Sequence, residues 1–491
     1  MSRPPTLIWL RDDLRLDDHP AFDAANGDPA LIVYVHDEQS AALRPLGGAA
    51  RWWLGRSLGA LASRIEALGG RLDILRGRSA DLLPRLAAAA QARQVFWTRR
   101  YGAGEMALDA LIKAELIKNG IAAKSFNGQL LREPWEIANA EGKPFRVFSA
   151  FWRRHRALGP PSAPMAAPTR LIAAPWPTGA PQRVALDDLA LAPRKPDWSH
   201  GLALRWRPGE IGAQARLEDF LSGALRDYPT ARDRPDGDNT SMLSPHLRFG
   251  EISPRRIYSS VEAALAQGAI PARAGEKFLS EIGWREFSYA LLFGAPDLAT
   301  RCLQPRFEDF PVLADPQGLE AWRRGRTGYP LVDAGMRELW ATGVMHNRVR
   351  MVAASFLIKH QLQDWRQGEA WFWDTLCDAD PANNPASWQW VAGCGADAAP
   401  YFRIFNPVLQ GQKFDAAGGY VRRWVPELAQ LSAAHIHAPW LAPVDALEQA
   451  GVRLGETYPR PIVDHDFARR RALAALATLS GGATNSRPIE P

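Results

Sequence analysis

Cysteine is scarce in this sequence, and long apolar runs are absent. The 491 residues include only three cysteines, Cys302, Cys377 and Cys394, an odd and widely spaced set without the spacing of metal ligands. No apolar stretch approaches membrane-spanning length, and the N-terminal MSRPPTLIWLRDD has no signal-peptide core. These absences argue against a metal centre and a membrane partner, and they predict reduced thiols in a cytoplasmic protein.

Tryptophan and arginine, by contrast, are abundant. The chain has 19 tryptophans, a formal net charge of +6 and 23% charged residues, and its pI is about 9.3. Tryptophan at this density is typical of packing, of stacking on bases or of electron transfer. The positive charge is consistent with a polyanionic partner, although many basic proteins bind none.

Short apolar runs alternate with helical patterns over residues 1–130, which predicts an α/β domain with a doubly wound parallel sheet. No GxGxxG or Walker loop follows a strand, so a dinucleotide or NTPase site has no support. The predicted elements are strands at Thr6–Leu10, Ala30–Val35, Arg71–Leu75, Gln94–Trp97 and Ile121–Phe126, and helices at Arg51–Leu68 and Glu105–Lys118.

The rest of the chain divides by composition. Residues 131–208 are rich in proline and predict a long interdomain connection that covers both domains. Residues 209–475 predict an all-α domain, with helices such as Ile211–Leu225, Leu331–Thr342 and Met351–Gln361. The polar segment 476–491 predicts a disordered tail.

The stretch Leu376–Pro407 concentrates polar and aromatic side chains. Two acids (Asp378 and Asp380) and the amides of Asn383 and Asn384 precede a Trp-Gln-Trp sequence and a run of Gly and Ala. This combination suits the wall of a flat ligand with imide-like edges, such as a flavin. A buried junction between a loop and a helix, with capping Asp and Asn residues, explains the same pattern.

Six segments in one order resemble the photolyase/cryptochrome family. They are WLRDDLRLDDHPA, TSMLSPHLRFGEISPR, WREFSY, GYPLVDAGMREL, MHNRVRM and the Leu376–Pro407 stretch. The resemblance spans nearly the whole chain. It implies an α/β antenna-type domain, a helical domain that holds FAD, and light-driven electron transfer to a pyrimidine dimer in UV-damaged DNA.

The resemblance also implies which residues hold FAD. Thr240, Ser241 and Ser244 offer hydroxyls and turn-type amides for a diphosphate, although a simple N-cap is the alternative. Arg350 is expected to pair with Asp378, and Asn384 to face flavin N5, with Asn383 as the competing candidate. The full implied set is Tyr228, Thr240, Ser241, Met242, Leu243, Ser244, Glu281, Arg285, Asn347, Arg350, Asp378, Asp380 and Asn384.

For the substrate, the resemblance implies hydrogen bonds and stacking contacts to a dimer flipped out of the duplex. Enzymes that repair (6–4) photoproducts place histidines where this chain has Asn347 and Met351, so a cyclobutane dimer is expected. The dimer-binding set is Glu281, Trp284, Asn347, Met351 and Trp390, and the DNA phosphates are assigned to Arg232, Arg348 and Arg403.

Two features depart from the family pattern. Trp388 and Trp365 match the first two tryptophans of an electron-transfer chain, but Val312 and Leu313 stand where the third is expected. Trp322, Trp340 or Trp373 would have to end the chain, or photoreduction is slower. Near the predicted antenna site Glu105 is kept and Gly104 replaces an Asn, so a folate (methenyltetrahydrofolate), a deazaflavin or no second chromophore are all open.

The sequence therefore predicts a monomeric photolyase that repairs cyclobutane pyrimidine dimers. A cryptochrome-like blue-light sensor and a (6–4) photolyase are the alternatives. Asn384 favours repair, since plant cryptochromes usually have Asp at that position.

Overall fold

The computed structural model describes residues 3–139, 141–398 and 402–479. Its described residues form two compact units. The first comprises Met1–Thr230, Thr240–Pro296 and Asp374–Ala382, and the second Ala231–Asn239, Asp297–Trp373 and Asn383–Pro491. Because these units interleave along the chain, the domain boundaries at residues 130, 208 and 475 stay a prediction.

A parallel β-sheet organises the first unit. The strands are β1 (Thr6–Leu10), β2 (Pro29–His36), β3 (Leu72–Arg76), β4 (Gln94–Thr98), β5 (Ala122–Phe126) and β6 (Ile172–Ala173). The order is β3-β2-β1-β4-β5, and the short β6 adds to β2. All pairs are parallel, which confirms the predicted doubly wound α/β class. The order changes direction at β1, where the DD of the first motif follows the strand.

Helices cover the sheet and continue beyond it in the first unit. Leu83 and Leu86 of one helix and Ile112 of the next pack on the sheet face that carries Trp9 and Trp97. The helices of this unit are α1 (Pro20–Ala24), α2 (Gly48–Ala67), α3 (Ser79–Ala89), α4 (Ala103–Lys118), α5 (Phe148–Ala157), α6 (His200–Arg205), α7 (Glu210–Ser222), α8 (Tyr228–Ala231, which ends at the unit boundary), α9 (Ser244–Arg248), α10 (Pro254–Ala266) and α11 (Ala272–Gly294).

The proline-rich connection is attached to the sheet within the first unit. Ala174 N donates to Ala30 O (3.0 Å), and Val184 N donates to Ile74 O (2.9 Å). These backbone hydrogen bonds fix two points of the segment on the sheet. The connection also contains the helix α5, which the sequence pattern did not predict.

The second unit is helical among its described residues. Its helices are α12 (Pro316–Arg323), α13 (Pro330–Thr342), α14 (Asn347–Ser355), α15 (Trp365–Thr375, whose last two residues belong to the first unit), α16 (Asn383–Ala392), α17 (Pro407–Phe414), α18 (Gly419–Trp424), α19 (Val444–Gln449) and α20 (His465–Thr478). The predicted helix Met351–Gln361 is two elements, because α14 ends at Ser355 and a π-helical turn covers Phe356–His360. The prediction of a disordered tail over 476–491 is wrong for its first residues, because α20 continues to Thr478; from position 480 on the tail lies outside the described residues.

No helix in the described part of the chain is long and apolar enough to cross a membrane.

Asp13 of the first motif links β1 to α1 and β4. Its buried carboxylate accepts hydrogen bonds from Arg11 N (2.6 Å), Thr98 Oγ1 (2.7 Å) and the His19 ring (3.0 Å). Burial alone would raise the pKa of Asp13, but His19, the Arg11 N–H and the Thr98 hydroxyl together lower it from 3.8 to about 2.

This shift predicts an acid-sensitive contribution to stability. Because the folded-state pKa is depressed, the contribution of about 2 kcal/mol is present above the ordinary value and is lost as the pH falls from 3.8 through about 2. Urea unfolding at several acidic pH values should show that Asp13→Asn removes this part of the pH dependence. The exposed Asp23→Asn should keep the wild-type slope; equal slopes for all three proteins would contradict the assignment.

Candidate functional site: a flavin- and DNA-binding set

The loop before α9 has a backbone suited to an anion. Met242 adopts a left-handed conformation (φ 53°), and Leu243 follows with φ −91° and ψ −6°. Successive residues of left- and right-handed conformation turn their N–H groups to the same side, which forms an anion-binding nest. Ser244 Oγ donates to the half-buried Asp378 (2.6 Å). The structure therefore brings two members of the predicted FAD set together.

Asp380 lies in a buried polar cluster of the first unit. It accepts hydrogen bonds from Tyr289 Oη (2.7 Å) and Ala382 N (2.8 Å). Arg248 is buried beside it and pairs with Asp12 (2.8 Å). Burial lowers the pKa of Arg248, but the charges of Asp12 and Asp380 outweigh this and raise it above its ordinary value. The hydrogen bonds from Tyr289 and Ala382 thus fix the Asp380 carboxylate in place.

These residues fit FAD. The nest at Met242 and the hydroxyls of Thr240, Ser241 and Ser244 supply the donors that a diphosphate requires. Met242 stands where the family often has Arg, and here its backbone conformation, rather than a charge, serves the anion. Tyr228 is buried and packs against Phe220 and Phe278, whose ring centroids both lie 5.5 Å from its own.

One face of α11 carries three predicted site residues of the first unit. Glu281, Trp284 and Arg285 are three and four residues apart, so they share this face. Glu281 accepts from Lys277 Nζ at 2.8 Å. Arg285 is buried, and its guanidinium donates to Gln129 O (2.7 Å) in the segment that follows β5.

Trp284 is stacked on a residue that the sequence did not single out. Phe148 lies parallel to it, with ring centroids 3.8 Å apart and an interplanar angle of 10°. One face of Trp284 is therefore occupied, and the half-buried ring can offer a base only its other face or its edge. Phe148, the first phenylalanine of VFSAF, was not predicted as a site residue, because a phenylalanine in a helix usually packs in the hydrophobic core.

Asn384 is anchored within the second unit by a buried acid. Its amide Nδ2 donates to Glu369 Oε1 (2.8 Å) and Glu369 O (3.1 Å), and both side chains are at least nine-tenths buried. The amide orientation is therefore fixed, and Oδ1 is left as the acceptor. Asn383 starts α16 and is only half-buried. This difference supports Asn384, rather than Asn383, as the positioned amide.

Trp388 packs on the helix that carries Trp365. A side chain at Gly368 would place its Cβ 2.1 Å from the Trp388 ring, so only glycine permits this approach. Gly368 and Trp365 are three residues apart on α15 and share one face. Both tryptophans are buried. The first two members of the predicted electron-transfer chain are therefore brought to one helix face.

Trp322 was predicted as one of three candidates to end that chain, but it does not lie at the surface. It is fully buried, its ring centroid lies 6.2 Å from that of Trp388, and its Nε1 donates to Ala353 O (2.9 Å). An end that exchanges electrons with a solution donor must be accessible. Trp340 is 56% exposed and stacks on Trp371 (6.0 Å, 7°), whereas Trp373 is buried.

The MHNRVRM segment places Asn347 and Met351 on one face of α14. Asn347 is exposed, and its Nδ2 lies 4.0 Å from Met351 Sδ. Arg350, on the same face, donates to Met345 O (2.7 Å). Its predicted pairing with Asp378 stays a prediction.

The predicted phosphate-binding arginines are positioned in two groups of the second unit. Arg348 pairs with Asp233 (2.8 Å) and lies over Phe414 (4.3 Å). The neighbouring His346 Nε2 donates to Arg232 O (2.9 Å). The exposed Arg403 lies 6.0 Å from the ring of Trp390.

Glu105 acts as a helix cap in the described structure. It accepts from Gly102 N (3.1 Å) and pairs with Arg100 (3.4 Å). A Cβ at Gly104 would lie 2.1 Å from Ala42 O, so the Asn of folate-binding relatives does not fit this backbone. Glu105 therefore has a structural role in capping the helix. Its predicted role in binding an antenna chromophore stays a prediction.

A parallel α/β sheet, an anion-binding loop and a buried tryptophan pair define a flavoprotein of photolyase type. Residues 6–169 match the family model of DNA photolyase, and residues 278–478 match that of the FAD binding domain of DNA photolyase. The chain is 49% identical to the deoxyribodipyrimidine photo-lyase of Agrobacterium fabrum, over 98% of this chain and 99% of that protein. It is 39% identical to cryptochrome-1 of Arabidopsis thaliana, over 96% of this chain and 70% of that protein.

The same relationship holds in three dimensions. The crystal structure of a class III photolyase from Agrobacterium tumefaciens matches with a TM-score of 0.93 at 48% identity, and the match covers 98% of each chain. The chain belongs to the photolyase/cryptochrome family. FAD is its cofactor, in agreement with the sequence-based prediction.

Proposed function

We propose that this chain is a DNA photolyase that splits cyclobutane pyrimidine dimers in UV-damaged DNA. The observation that carries the proposal is the pair of amides Asn347 and Asn384, of which Asn384 is fixed by Glu369. Its relatives named as deoxyribodipyrimidine photo-lyases support the same activity. The chemistry that reduced FAD supplies when bound is light-driven donation and recovery of one electron, so the ring bonds break without net redox change.

The residues of this chain bind and orient the reactants. Ser244 and the Met242 nest would hold the diphosphate end of FAD, and Tyr289 fixes the Asp380 carboxylate in place. Asn384 would offer flavin N5 an uncharged amide, which suits a reduced anionic flavin because it adds no charge of its own. Glu281 and Asn347 provide hydrogen bonds to the carbonyl and imide groups of the dimer.

Aromatic side chains replace the stacking that the dimer loses when it leaves the duplex. Trp284 contributes in the first unit and Trp390 in the second. Since Trp284 is backed by Phe148, its ring plane is set before DNA binds, which lowers the entropy lost on binding. Met351 adds an apolar contact where a (6–4) photolyase would require a histidine.

The lesion type is tested with purified, chemically reduced protein under blue light. Oligonucleotides that carry one cyclobutane dimer, one (6–4) photoproduct or no lesion are compared. Restoration of thymines from the cyclobutane dimer alone is expected. Repair of the (6–4) product would assign the other photolyase class, and repair of neither would assign a cryptochrome-like sensor, to which Arabidopsis cryptochrome-1 is the relevant relative.

Arg348 is expected to contact a DNA phosphate and not a base. Arg348→Gln should therefore weaken binding to all sequences equally and reduce the slope of log K against log salt concentration by about 0.9. Fluorescence anisotropy at several salt concentrations measures this. Arg453→Gln is the matched control, because Arg453 is exposed and pairs only locally with Glu456 in the described structure. An unchanged slope for Arg348→Gln would exclude the contact.

We also propose that the protein is monomeric and lies in the cytoplasm. The three cysteines are buried and form no disulfide, which suits a reducing compartment. A second chromophore, whether a folate or a deazaflavin, would be recognised by its own absorption band in the purified protein.

A further inference from the structure

One buried lysine of the second unit has no role in the proposed site. Lys359 lies on the π-helical turn Phe356–His360 and is only 2% exposed. A lysine is almost never fully buried unless it is paired, yet the hydrogen-bond partner of Lys359 is a backbone carbonyl and not an acid. Its contacts therefore indicate what the burial of this amine serves.

The π-helical turn holds the chain segment 402–405 at two points. Lys359 Nζ donates to the backbone O of Arg403 and lies 4.1 Å from the ring centroid of Phe402. Phe405 N donates to the side chain of Ser355 (3.3 Å), the residue that precedes the turn. The backbone on both sides of Ile404 is thus attached to one element.

The side chains of this segment are sorted by packing. Phe402 and Ile404 pack against a buried apolar cluster. That cluster consists of Leu362, Ala472 and Ala475. Arg403, between them, is exposed, and its guanidinium lies 6.0 Å from the ring centroid of Trp390. The packing of its two neighbours therefore leaves Arg403 facing solvent beside a tryptophan of the predicted dimer-binding set.

We propose that Lys359 is a positioning residue for DNA binding, which holds the backbone of Arg403 so that the Arg403 guanidinium meets a DNA phosphate next to Trp390. The inference rests on the proposed function, because it requires damaged DNA as the partner of Arg403. A lysine suits this role since its long apolar stem can be buried while its ammonium gives a charge-assisted hydrogen bond.

The amine gives this role a pH dependence. Burial lowers the pKa of Lys359 from 10.5 to about 7. As the pH rises through this value the amine loses its charge, so its hydrogen bond to Arg403 O and its contact with the Phe402 ring both weaken. The anchor is therefore strongest below neutral pH.

The other titratable groups around Lys359 do not change charge in this range. Cys394 and Arg403 are the groups whose charges act on Lys359, and the pKa of the buried Cys394 is raised above its ordinary value. The adjacent His360 is hydrogen-bonded to His465 of α20 (2.8 Å). Burial lowers the pKa of His360 to about 3 and also lowers that of His465. Arginine does not titrate near neutral pH.

The test is a double-mutant cycle on the purified holoprotein, with fluorescence anisotropy of an oligonucleotide that carries one cyclobutane dimer. Arg403→Gln should reduce the slope of log K against log salt concentration by about 0.9. Lys359→Met keeps an unbranched apolar stem but has no donor, and it should reduce the slope by a similar amount. The double variant should lose no more than Arg403→Gln alone, because Lys359 acts through Arg403.

Two control variants isolate the anchor. Lys118→Met removes one positive charge from an exposed position of α4, and Ile358→Val trims a buried side chain of the same π-helical turn. Both should keep the wild-type slope. An unchanged slope in Lys359→Met, or losses that add in the double variant, would overturn the proposal.

The wild-type protein supplies a second measurement that does not depend on whether Lys359→Met folds. Its affinity for the oligonucleotide should fall about threefold from about one pH unit below the pKa of Lys359 to about one unit above it, whereas Arg403→Gln should show no such change. Equal affinities of the wild type at both pH values would contradict the anchor. Repair of the dimer by the reduced wild type is scored separately: its absence would reject the proposed function, whereas intact repair with additive losses would reject only the role of Lys359.

Discussion

Replacement of Trp284 by alanine is expected to weaken the binding of dimer-containing DNA by roughly 5- to 150-fold, the equivalent of about 1–3 kcal/mol for one base–aromatic stack. The ring is half-buried, and Phe148 covers one of its faces at 3.8 Å. Because its plane is already fixed, the full stacking energy contributes to binding instead of being spent on ordering the ring. Fluorescence anisotropy with an oligonucleotide that contains one cyclobutane dimer measures the effect.

Trp135→Ala is the matched control for this measurement. Trp135 is 48% exposed, lies in the same unit and packs on Phe293 (5.6 Å), but it is not among the predicted substrate residues. Its replacement should leave the affinity for the dimer unchanged. The affinity for undamaged DNA should be the same in both variants, and an equal loss for damaged and undamaged DNA in Trp284→Ala would show that the residue supports only the fold.

Asn384→Asp is expected to lower the free energy of unfolding by about 3 kcal/mol at neutral pH. The variant would put a second carboxylate against Glu369, which is 2% exposed and now accepts two hydrogen bonds from the asparagine side chain through its carboxylate and carbonyl. Both donors are lost, and two like charges share one buried space. Urea unfolding of the purified proteins gives the difference directly.

The pH dependence of this loss has a definite sign. Two adjacent carboxylates raise each other's tendency to bind a proton, so the folded variant takes up a proton more readily than the unfolded chain. The deficit should therefore be largest at neutral pH and shrink as the solution becomes acidic. Asn383→Asp should be neutral or slightly stabilising, because Asn383 begins α16, where a negative charge is favourable. A larger loss of stability for Asn383→Asp than for Asn384→Asp would show that Asn383 is the positioned amide.

Local sequence patterns predicted an element correctly where all of its residues are buried. The predicted strand at Thr6–Leu10 is strand β1 itself, because all five residues are buried and a parallel strand buried on both faces is a continuous apolar run. The helix predicted at Met351–Gln361 was only partly right. All five residues of the π-helical turn Phe356–His360 are buried, so the pattern of buried positions does not distinguish this turn from an α-helix.

The site was less predictable because its contacts are between distant segments. Glu369 is fixed to Asn384 by a contact that no motif encodes, and Phe148 meets Trp284 from another helix. The burial of Trp322 could not be predicted from its sequence neighbours, since a tryptophan in a polar helix can still be fully buried. These contacts depend on tertiary packing, which overrides local signals.

Light-driven splitting of a cyclobutane dimer is the activity on which the proposed roles of these residues depend. The most direct measurement takes chemically reduced wild-type protein and an oligonucleotide with one defined dimer, and follows the recovery of intact thymines in blue light and in darkness. We expect complete recovery in light and none in darkness. No recovery in light, from a protein shown to contain FAD and to bind the oligonucleotide, would contradict it.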